Sequence, residues 1–438
     1  MNKFLETIKP FRMPLILVGV LLVVFLVATQ LVPVITDLAA SDSPITGIEA
    51  TTDKVYLSGE EIAESDFSAQ AIHEDGSKSR LSSDEIAVQT DSIYPVGATS
   101  MVTIALAADR NITCEVEVTV EREPIMGFEC GYPELDSVTA VLYSNGELCF
   151  EGEGDVLVFT EGEQPWLNYE EMEESPILAV SFEEGVEPTN LNYWFEGCET
   201  LTYVDRIPSS VTTMVRSFKD CVNLISAGDW TSCENLLNIS EAYSGCTLLN
   251  SAPAIPSSVR TANRTFENCV NLQTAADASS ATSLLSTQYM YSGCSKLIEA
   301  SLPPNVVDIT GVYEYCINLQ AMPNIPDSTE VMSGSFAGCS TLETLTAIPV
   351  GVTNLERCFE GCEVISGDLT INADCEDFSN MFTGAALAPQ VNLIGTSKLL
   401  DAYANTYDSF QENERYGIFV NGEWPDPAVT SYEDVFSD

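Results

Sequence analysis

The amino-acid sequence predicts a mainly β chain with short helices, an α/β solenoid preceded by a small β-sandwich and a transmembrane helix. Three observations predict it. First, an aromatic residue, two residues, a cysteine, two more residues and a leucine or isoleucine recur eight times between residues 195 and 365. The cysteines are Cys198, Cys221, Cys246, Cys269, Cys294, Cys316, Cys339 and Cys362, in successive steps of 23, 25, 23, 25, 22, 23 and 23 along the chain. That period is the size at which one supersecondary unit stacks on the next. Second, residues 45–122 break into short apolar or alternating runs separated by turn residues, the pattern of a two-sheet β-sandwich. Third, residues 13–35 are apolar except for Thr29 and Gln30, long enough as a helix to cross a roughly 30 Å hydrocarbon core.

In chain order, Lys3, Lys9 and Arg12 precede the apolar segment while Asp37 and Asp42 follow it. Positive charge on the short side assigns residues 1–12 to a cytoplasmic tail and 13–35 to a single-pass anchor, with the C-terminus outside. The competing expectation is a secreted chain, released by signal cleavage near Leu38, Ala39 and Ala40. The apolar stretch exceeds an ordinary signal core, which favours the anchor.

Runs at 45–50, 55–57, 67–72, 86–89, 101–106 and 114–120 are the expected strands of the sandwich, with Ser58-Gly59 and Asp75-Gly76-Ser77 as turns. Residues 123–190 form a second β-rich segment. In it, Asn145-Gly146 marks a hairpin turn, and Gly152, Gly154, Pro165-Trp166 and a strand at 177–182 follow. Its position suits an N-terminal cap over the apolar end of a solenoid.

The repeats occupy residues 191–388. Phe195, Phe218, Tyr243, Phe266, Tyr291, Tyr313, Phe336 and Phe359 stand three before the cysteines, and Leu201, Leu224, Leu249, Leu272, Leu297, Leu319, Leu342 and Ile365 three after. A further apolar residue follows six after the cysteine, as at Val204, Ala252, Met322 and Leu345. Four inward positions per coil predict a continuous stacked core. Each large side chain contributes at most about 1.5–3 kcal/mol by burial. The repeating cysteines are expected to be buried free thiols acting as small hydrophobes, because side chains pointing in parallel have the wrong geometry for a disulfide. Of the other six, Cys114, Cys130, Cys149, Cys233, Cys358 and Cys375, the pair Cys130 and Cys149 is the candidate disulfide. In four coils an apolar residue and then Ile-Pro follow the leucine with one residue more than a regular repeat strand, which predicts a bulge. The two longest coils, starting at Cys221 and Cys269, lack the Ile-Pro turn. Met381-Phe382-Thr383-Gly384-Ala385 is a degenerate ninth unit with alanine at the ladder position. Residues 389–438, with a helical stretch over 397–410, are expected to be a C-terminal cap and tail.

Leu142, Gly146, Leu148, Gly152, Gly154, Pro165 and Trp166 form a leader to the repeats. Phe195-Glu196-Gly197-Cys198, Phe336-Ala337-Gly338-Cys339 and Phe359-Glu360-Gly361-Cys362 follow, with Ile207-Pro208-Ser209-Ser210-Val211 and Ile255-Pro256-Ser257-Ser258-Val259 as turns. Together these resemble the BspA-type leucine-rich-repeat surface proteins of bacteria over roughly residues 127–388. Ile45-Thr46-Gly47-Ile48, Gly59-Glu60, Asp75-Gly76-Ser77 and the run from Val116 to Val120 resemble a bacterial immunoglobulin-like domain, a spacer in such proteins. The resemblance implies a non-enzymatic protein of the bacterial cell surface that adheres to a protein or glycan outside the cell. The alternative is a structural component of the envelope or of cell-to-cell contacts, with no host ligand.

Sixty-six acidic and seventeen basic residues give a formal charge of −49, which repels nucleic acid. No calcium-loop motif and no C-x-x-C occur, and with one histidine no zinc site is expected. His73, beside Glu74 and Asp75, is expected as an exposed turn residue rather than a base. Repetition of a cysteine in every coil is structural, since a nucleophile is needed once. No catalytic, cofactor-binding or metal residue is assigned, and no cofactor is expected. N-x-[ST] at Asn111, Asn238 and Asn263 is uninformative. The expected partner-facing surface is the exposed sheet face or the Pro-Ser-Ser turns; the outward strand residues Thr202, Tyr203, Asp205, Gln320, Asn324, Glu343 and Thr346 form a mixed polar row that equally fits an ordinary solvated face, and no binding residue is assigned.

Overall fold

The computed structural model describes residues 43–56, 60–90, 99–169, 176–365, 368–371, 375–385, 392–395 and 419–420. The apolar segment 13–35 and the helical stretch expected at 397–410 lie outside them. Among the described residues no helix is long and apolar enough to cross a membrane. The chain divides into two units, Met1–Phe128 with Val141–Leu148, and Glu129–Ala140 with Cys149–Asp438.

Residues 45–120 of the first unit form β1 (Ile45–Thr51), β2 (Val55–Tyr56), β3 (Ser68–His73), β4 (Lys78–Leu81), β5 (Ile86–Val88), β6 (Thr99–Leu106) and β7 (Asp109–Val120). They form two sheets, β1-β3-β4 and β2-β7-β6-β5. Period-2 alternation explains them, since Val116, Val118 and Val120 of β7 turn inward and Glu117 and Thr119 between them turn out. With Ile48, Tyr56, Phe67, Ala71, Val102 and Ile104 they make one core. The same alternation corrects the expectation for His73. Ala69, Ala71 and His73 all face inward on β3, so the imidazole is buried. It is satisfied by the Ser43 carbonyl at 2.7 Å and the Ser79 hydroxyl at 2.8 Å.

Next come β8 (Pro124–Glu129), β9 (Gly131–Tyr132), β10 (Val138–Tyr143), β11 (Glu147–Gly152), β12 (Asp155–Val156), β13 (Ala179–Phe182) and β14 (Tyr203–Val204). Within the second unit β13 and β14 pair in parallel, and β12 pairs with β9 antiparallel. The Asn145-Gly146 turn between β10 and β11 closes with the Gly146 amide donating to the Tyr143 carbonyl, and Gly146 sits at φ +81°. In the second unit Phe150, Phe159, Trp166 and Phe182 gather around Trp194 of the first coil. Phe150 is 5.0 Å from Trp194 and Trp166 is 5.2 Å from it, centroid to centroid. The Trp166 indole donates to the Trp194 carbonyl at 2.9 Å.

From there the aromatic column runs without a break from Phe195 through Phe218, Tyr243, Phe266, Tyr291, Tyr313, Phe336 and Phe359 to Phe382, with successive centroids 5.3 to 5.9 Å apart and rings stacked. The ninth, degenerate unit therefore contributes a ring in register. Beside this column lie the cysteines and leucines, all buried. The expected fourth column is incomplete: Val204 and Met322 are buried, but Ala252 and Leu345 are only partly so. Positions seven, four and one before the aromatic fill the interior instead, as at Val211, Met214 and Ser217, or Val306, Ile309 and Val312.

The short helices expected of an α/β solenoid do not form in the coils. Among the described residues, helical geometry is limited to 3-10 turns at Glu64–Asp66, Leu135–Ser137 and Pro165–Leu167. The reason is local. In each coil the positions two before and two after the aromatic take left-handed φ: Arg216 and Asp220 flank Phe218, Tyr289 and Gly293 flank Tyr291, Gly334 and Gly338 flank Phe336. A left-handed residue every few positions breaks a right-handed helix. The amides at and around the aromatic donate instead to the next coil, as Phe195 does to Ser217 and Phe218 to Ala242. The strand expected after each leucine is also mostly absent. Among the described residues it forms a strand only at β14 and at Asp368–Ile371 after Ile365, and otherwise survives as single parallel bridges such as Ala321 to Thr344. The bridge that runs through every coil lies five before the aromatic, linking Asn190, Thr213, Asn238, Thr261, Ser286, Asp308, Val331, Asn354 and Asp377.

Coil length and ring chemistry are coupled. The four steps of 23 between ladder cysteines end on Phe218, Phe266, Phe336 and Phe359, whereas the steps of 25, 25 and 22 end on Tyr243, Tyr291 and Tyr313. At Tyr291 and Tyr313 the altered coil length takes a main-chain group out of the regular ladder, and the phenol meets it. The Tyr313 hydroxyl donates to the Ser301 carbonyl at 2.6 Å and accepts from the Ser301 amide at 3.1 Å. The Ala276 amide donates to the Tyr291 hydroxyl at 3.0 Å. Tyr243 lies by the Gly228 backbone. Tyr313→Phe is therefore expected to cost about 1–3 kcal/mol, the penalty of leaving buried polar groups unpaired. Urea denaturation measures it, and a variant as stable as the parent contradicts this role for the phenol.

Parallel stacking also continues past residue 388, where the repeats were expected to stop. β15 (Asp368–Ile371) pairs with β16 (Asn392–Gly395), and β16 with β17 (Phe419–Val420), all parallel. Ile371 continues the ladder from Ile348.

Candidate binding face of the solenoid

None of the fourteen cysteines is in a disulfide, so the candidate bond between Cys130 and Cys149 is not formed. The ladder thiols do more than fill space. Each from Cys221 to Cys362 donates to the carbonyl of the aromatic residue one coil upstream: Cys221 to Phe195, Cys246 to Phe218, Cys269 to Tyr243, Cys294 to Phe266, Cys316 to Tyr291, Cys339 to Tyr313 and Cys362 to Phe336, at 3.0 to 3.2 Å. A serine, threonine or cysteine is small enough for the site and carries a donor, which alanine lacks. Buried hydroxyls repeat the device one position before the aromatic: Ser217 donates to Leu191, Thr265 to Ile239 and Ser335 to Ile309. Burial pushes the thiols up, Cys198 to about 11 and Cys362 to about 12. Such thiols are not nucleophiles at neutral pH. Among the described residues no group of three or more His, Cys, Asp or Glu side chains is placed to hold a metal ion.

The outward residues singled out in the sequence do not form a uniform surface. Gln320, Asn324 and Glu343 are exposed, while Thr202, Tyr203, Asp205 and Thr346 are half-buried. Thr202 donates to the Leu178 carbonyl and Thr346 to that of Pro323, each at 2.8 Å, so these hydroxyls tie coils together. The second serine of the Pro-Ser-Ser turn does the same: Ser210 donates to Pro188 and Ser258 to Cys233. The acceptor-motif asparagines Asn238 and Asn263 accept from backbone amides with their side-chain oxygens.

A different face carries the charge. It is built from the left-handed positions and the residue after each aromatic. Arg216 donates to Glu241 at 3.0 Å and lies 3.8 Å from Glu196 and 3.9 Å from Glu161. Lys219 shares Glu241 at 2.9 Å. Further along, Arg264 pairs with Glu267, and Arg357 with Glu360 and, at 3.8 Å, with Glu314. Burial pushes the carboxyls of Glu196 and Glu314 above the usual range, against the pull of the neighbouring arginines. The rows also interlock sterically. A Cβ on Gly245 would stand 2.2 Å from Asp220, on Gly293 2.3 Å from Asn268, on Gly311 2.3 Å from Tyr289 and on Gly338 2.5 Å from Tyr315. Each of these four left-handed side chains thus lies over a glycine of the next coil. The sequence signal was present in the F-x-G-C motif, but its exceptions became readable only with φ angles in hand.

Parallel coils of near-constant length around stacked apolar columns define a leucine-rich-repeat solenoid. A family model described as the BspA type leucine rich repeat region matches the chain in six copies, over residues 174–297, 234–343 and 310–402, more than half of its length. The chain belongs to that family. It is also similar to a solved structure, a leucine-rich repeat protein from Bacteroides ovatus at 1.19 Å resolution. The identity is 16% and the TM-score 0.46, over 68% of this chain and 76% of the other. A search of curated proteins finds no match.

Proposed function

We propose that this chain is a non-enzymatic bacterial surface protein, anchored through residues 13–35, that presents its leucine-rich-repeat solenoid to a protein or glycan outside the cell. The seven-stranded module of residues 45–120 serves as an immunoglobulin-like spacer on this reading. One observation carries the proposal: the inward columns repeat from coil to coil while the outward rows change residue type. A stacked scaffold with variable outer positions is what solenoids use for extended recognition surfaces. The acidic surface argues for protein or glycan partners over nucleic acid.

The test is adhesion of cells displaying the full-length chain to host matrix proteins, host cells and mucin, alongside the producer's own wall. Saturable host binding that is retained when residues 45–120 are removed supports a repeat-borne adhesin. Binding confined to the producer's envelope replaces it with the structural reading.

A further inference from the structure

The charged face of the solenoid contains one site whose chemistry is incomplete. Tyr289 and Tyr315 both hold left-handed φ, +54° and +59°. Every coil takes left-handed φ at these two rows, and Tyr193 does so at +66°, so the backbone belongs to the coil; Asn, Asp and Gly suit it best, and a bulky aromatic there is uncommon. Elsewhere in the row of Tyr315 the non-glycine residues are Asp220 and Asn268, so Tyr315 breaks the local rule. Both rings rest their Cδ1–Cε1 edges on a glycine of the next coil, Gly311 for Tyr289 and Gly338 for Tyr315.

From that point the two sites differ. Over Tyr289 lies the Arg264 guanidinium, 4.3 Å from the ring centroid. Among the described residues no arginine or lysine lies over Tyr315, which is 54% exposed. Arg357 interacts electrostatically with its phenol without covering the ring. Its upstream neighbour in the row is Gly293, which offers no side chain to cover it. Charge matches this gap. Glu267, Glu314 and Glu360 interact electrostatically along the face, and among the described residues the cations paired with them are Arg264 and Arg357. Arg357 divides itself between Glu360 and a 3.8 Å contact with Glu314. Three carboxylates and two guanidinium groups leave room for one more cation, beside an exposed aromatic ring.

We propose that Tyr315 and Glu314 form a seat for a single arginine or lysine side chain of a basic protein partner, completing in trans the arrangement that Arg264 makes on Tyr289 in cis. This rests on the reading of the solenoid as a recognition surface and names the chemistry of the partner. The ring supplies a cation–π contact, the partly covered Glu314 carboxylate, 15% exposed, a charge-assisted hydrogen bond, and the strongly negative chain draws basic partners toward it.

A fluorine-labelled tyrosine placed at position 315 alone in the full chain reports on the seat. Titration with N-acetyl-arginine amide is expected to shift its resonance saturably, and the neutral citrulline analogue and methyl glucoside are expected not to. Glu314→Gln should weaken the arginine response about two- to five-fold. The same label at position 289, already covered by Arg264, should stay silent. No shift, an equal shift with citrulline, saturation by the sugar, or an equal response at position 289 overturns the seat. So does adhesion of the displayed chain that Tyr315→Gly leaves unchanged. A saturating label on a chain that adheres to nothing instead supports the seat and removes the adhesin reading.

Discussion

Between pH 8 and 10.5 the repeat unit is expected to unfold cooperatively at a temperature where it is fully folded at pH 7. The ladder thiols carry the effect. In the folded coils they are buried and, from Cys221 onward, hydrogen-bonded as donors, so they hold their protons to about pH 11 at Cys198 and about 12 at Cys362. In the unfolded chain the same groups ionise near about 8.5. Above that pH the folded state binds more protons than the unfolded state, so stability falls as pH rises. The contribution is complete below the unfolded value and is lost toward the folded one. Each thiol costs about 1.4 kcal/mol per pH unit, and eight acting together cost on the order of 10 kcal/mol. That is comparable with the whole stability of an ordinary domain, about 5–15 kcal/mol. Melting temperatures followed by circular dichroism in reducing buffer at pH 7, 8, 9 and 10 measure it, with iodoacetamide labelling as a second probe. A melting temperature that stays flat to pH 10.5 sinks the argument.

Phe266→Ala is expected to destabilise the repeat unit by about 3–5 kcal/mol, the cost of deleting a buried aromatic without collapse of the site. The ring lies between Tyr243 at 5.9 Å and Tyr291 at 5.7 Å, with Trp230 at 6.2 Å. Because an array couples only through neighbours, loss of an interior ring weakens two interfaces at once. Phe382→Ala removes the last ring of the column, which stacks on Phe359 at 5.7 Å, and should cost distinctly less. Urea titrations of both variants decide the matter. Equal losses at the two positions would falsify nearest-neighbour stacking as the source of stability.

How far the fold was legible depended on the kind of signal. The aromatic, cysteine and leucine spacing identified the coils because a core position must recur once per turn of the stack. The ninth unit was legible for the same reason, and its Phe382 continues the column although alanine has replaced the thiol donor. The fourth apolar column failed at Ala252 and Leu345, because spacing from the cysteine does not reveal where a coil of varying length bends. The alternation of Ala69, Ala71 and His73 was visible in the sequence, yet the adjoining Asp-Gly-Ser turn made His73 look exposed. The link between coil length and tyrosine was also written in the sequence. It acquired a meaning only when the hydroxyl of Tyr313 was seen to meet Ser301.

The candidate site was less legible than the fold. A phenylalanine or leucine at a fixed interval announces burial, but nothing in the spacing of Tyr315 distinguishes it from any other residue in a turn. Its left-handed backbone, the bare glycine beneath its edge and the unbalanced carboxylates beside it are all relations between coils. By itself the sequence determined that this chain stacks coils of near-constant length around aromatic, thiol and leucine columns, because each column needs the same residue type at every turn. Only the tertiary structure decided which carbonyl each thiol meets, why turns stand where helices were expected, and which exposed ring lacks a cation, because these depend on atoms a whole coil apart in sequence being brought within a few ångströms of each other.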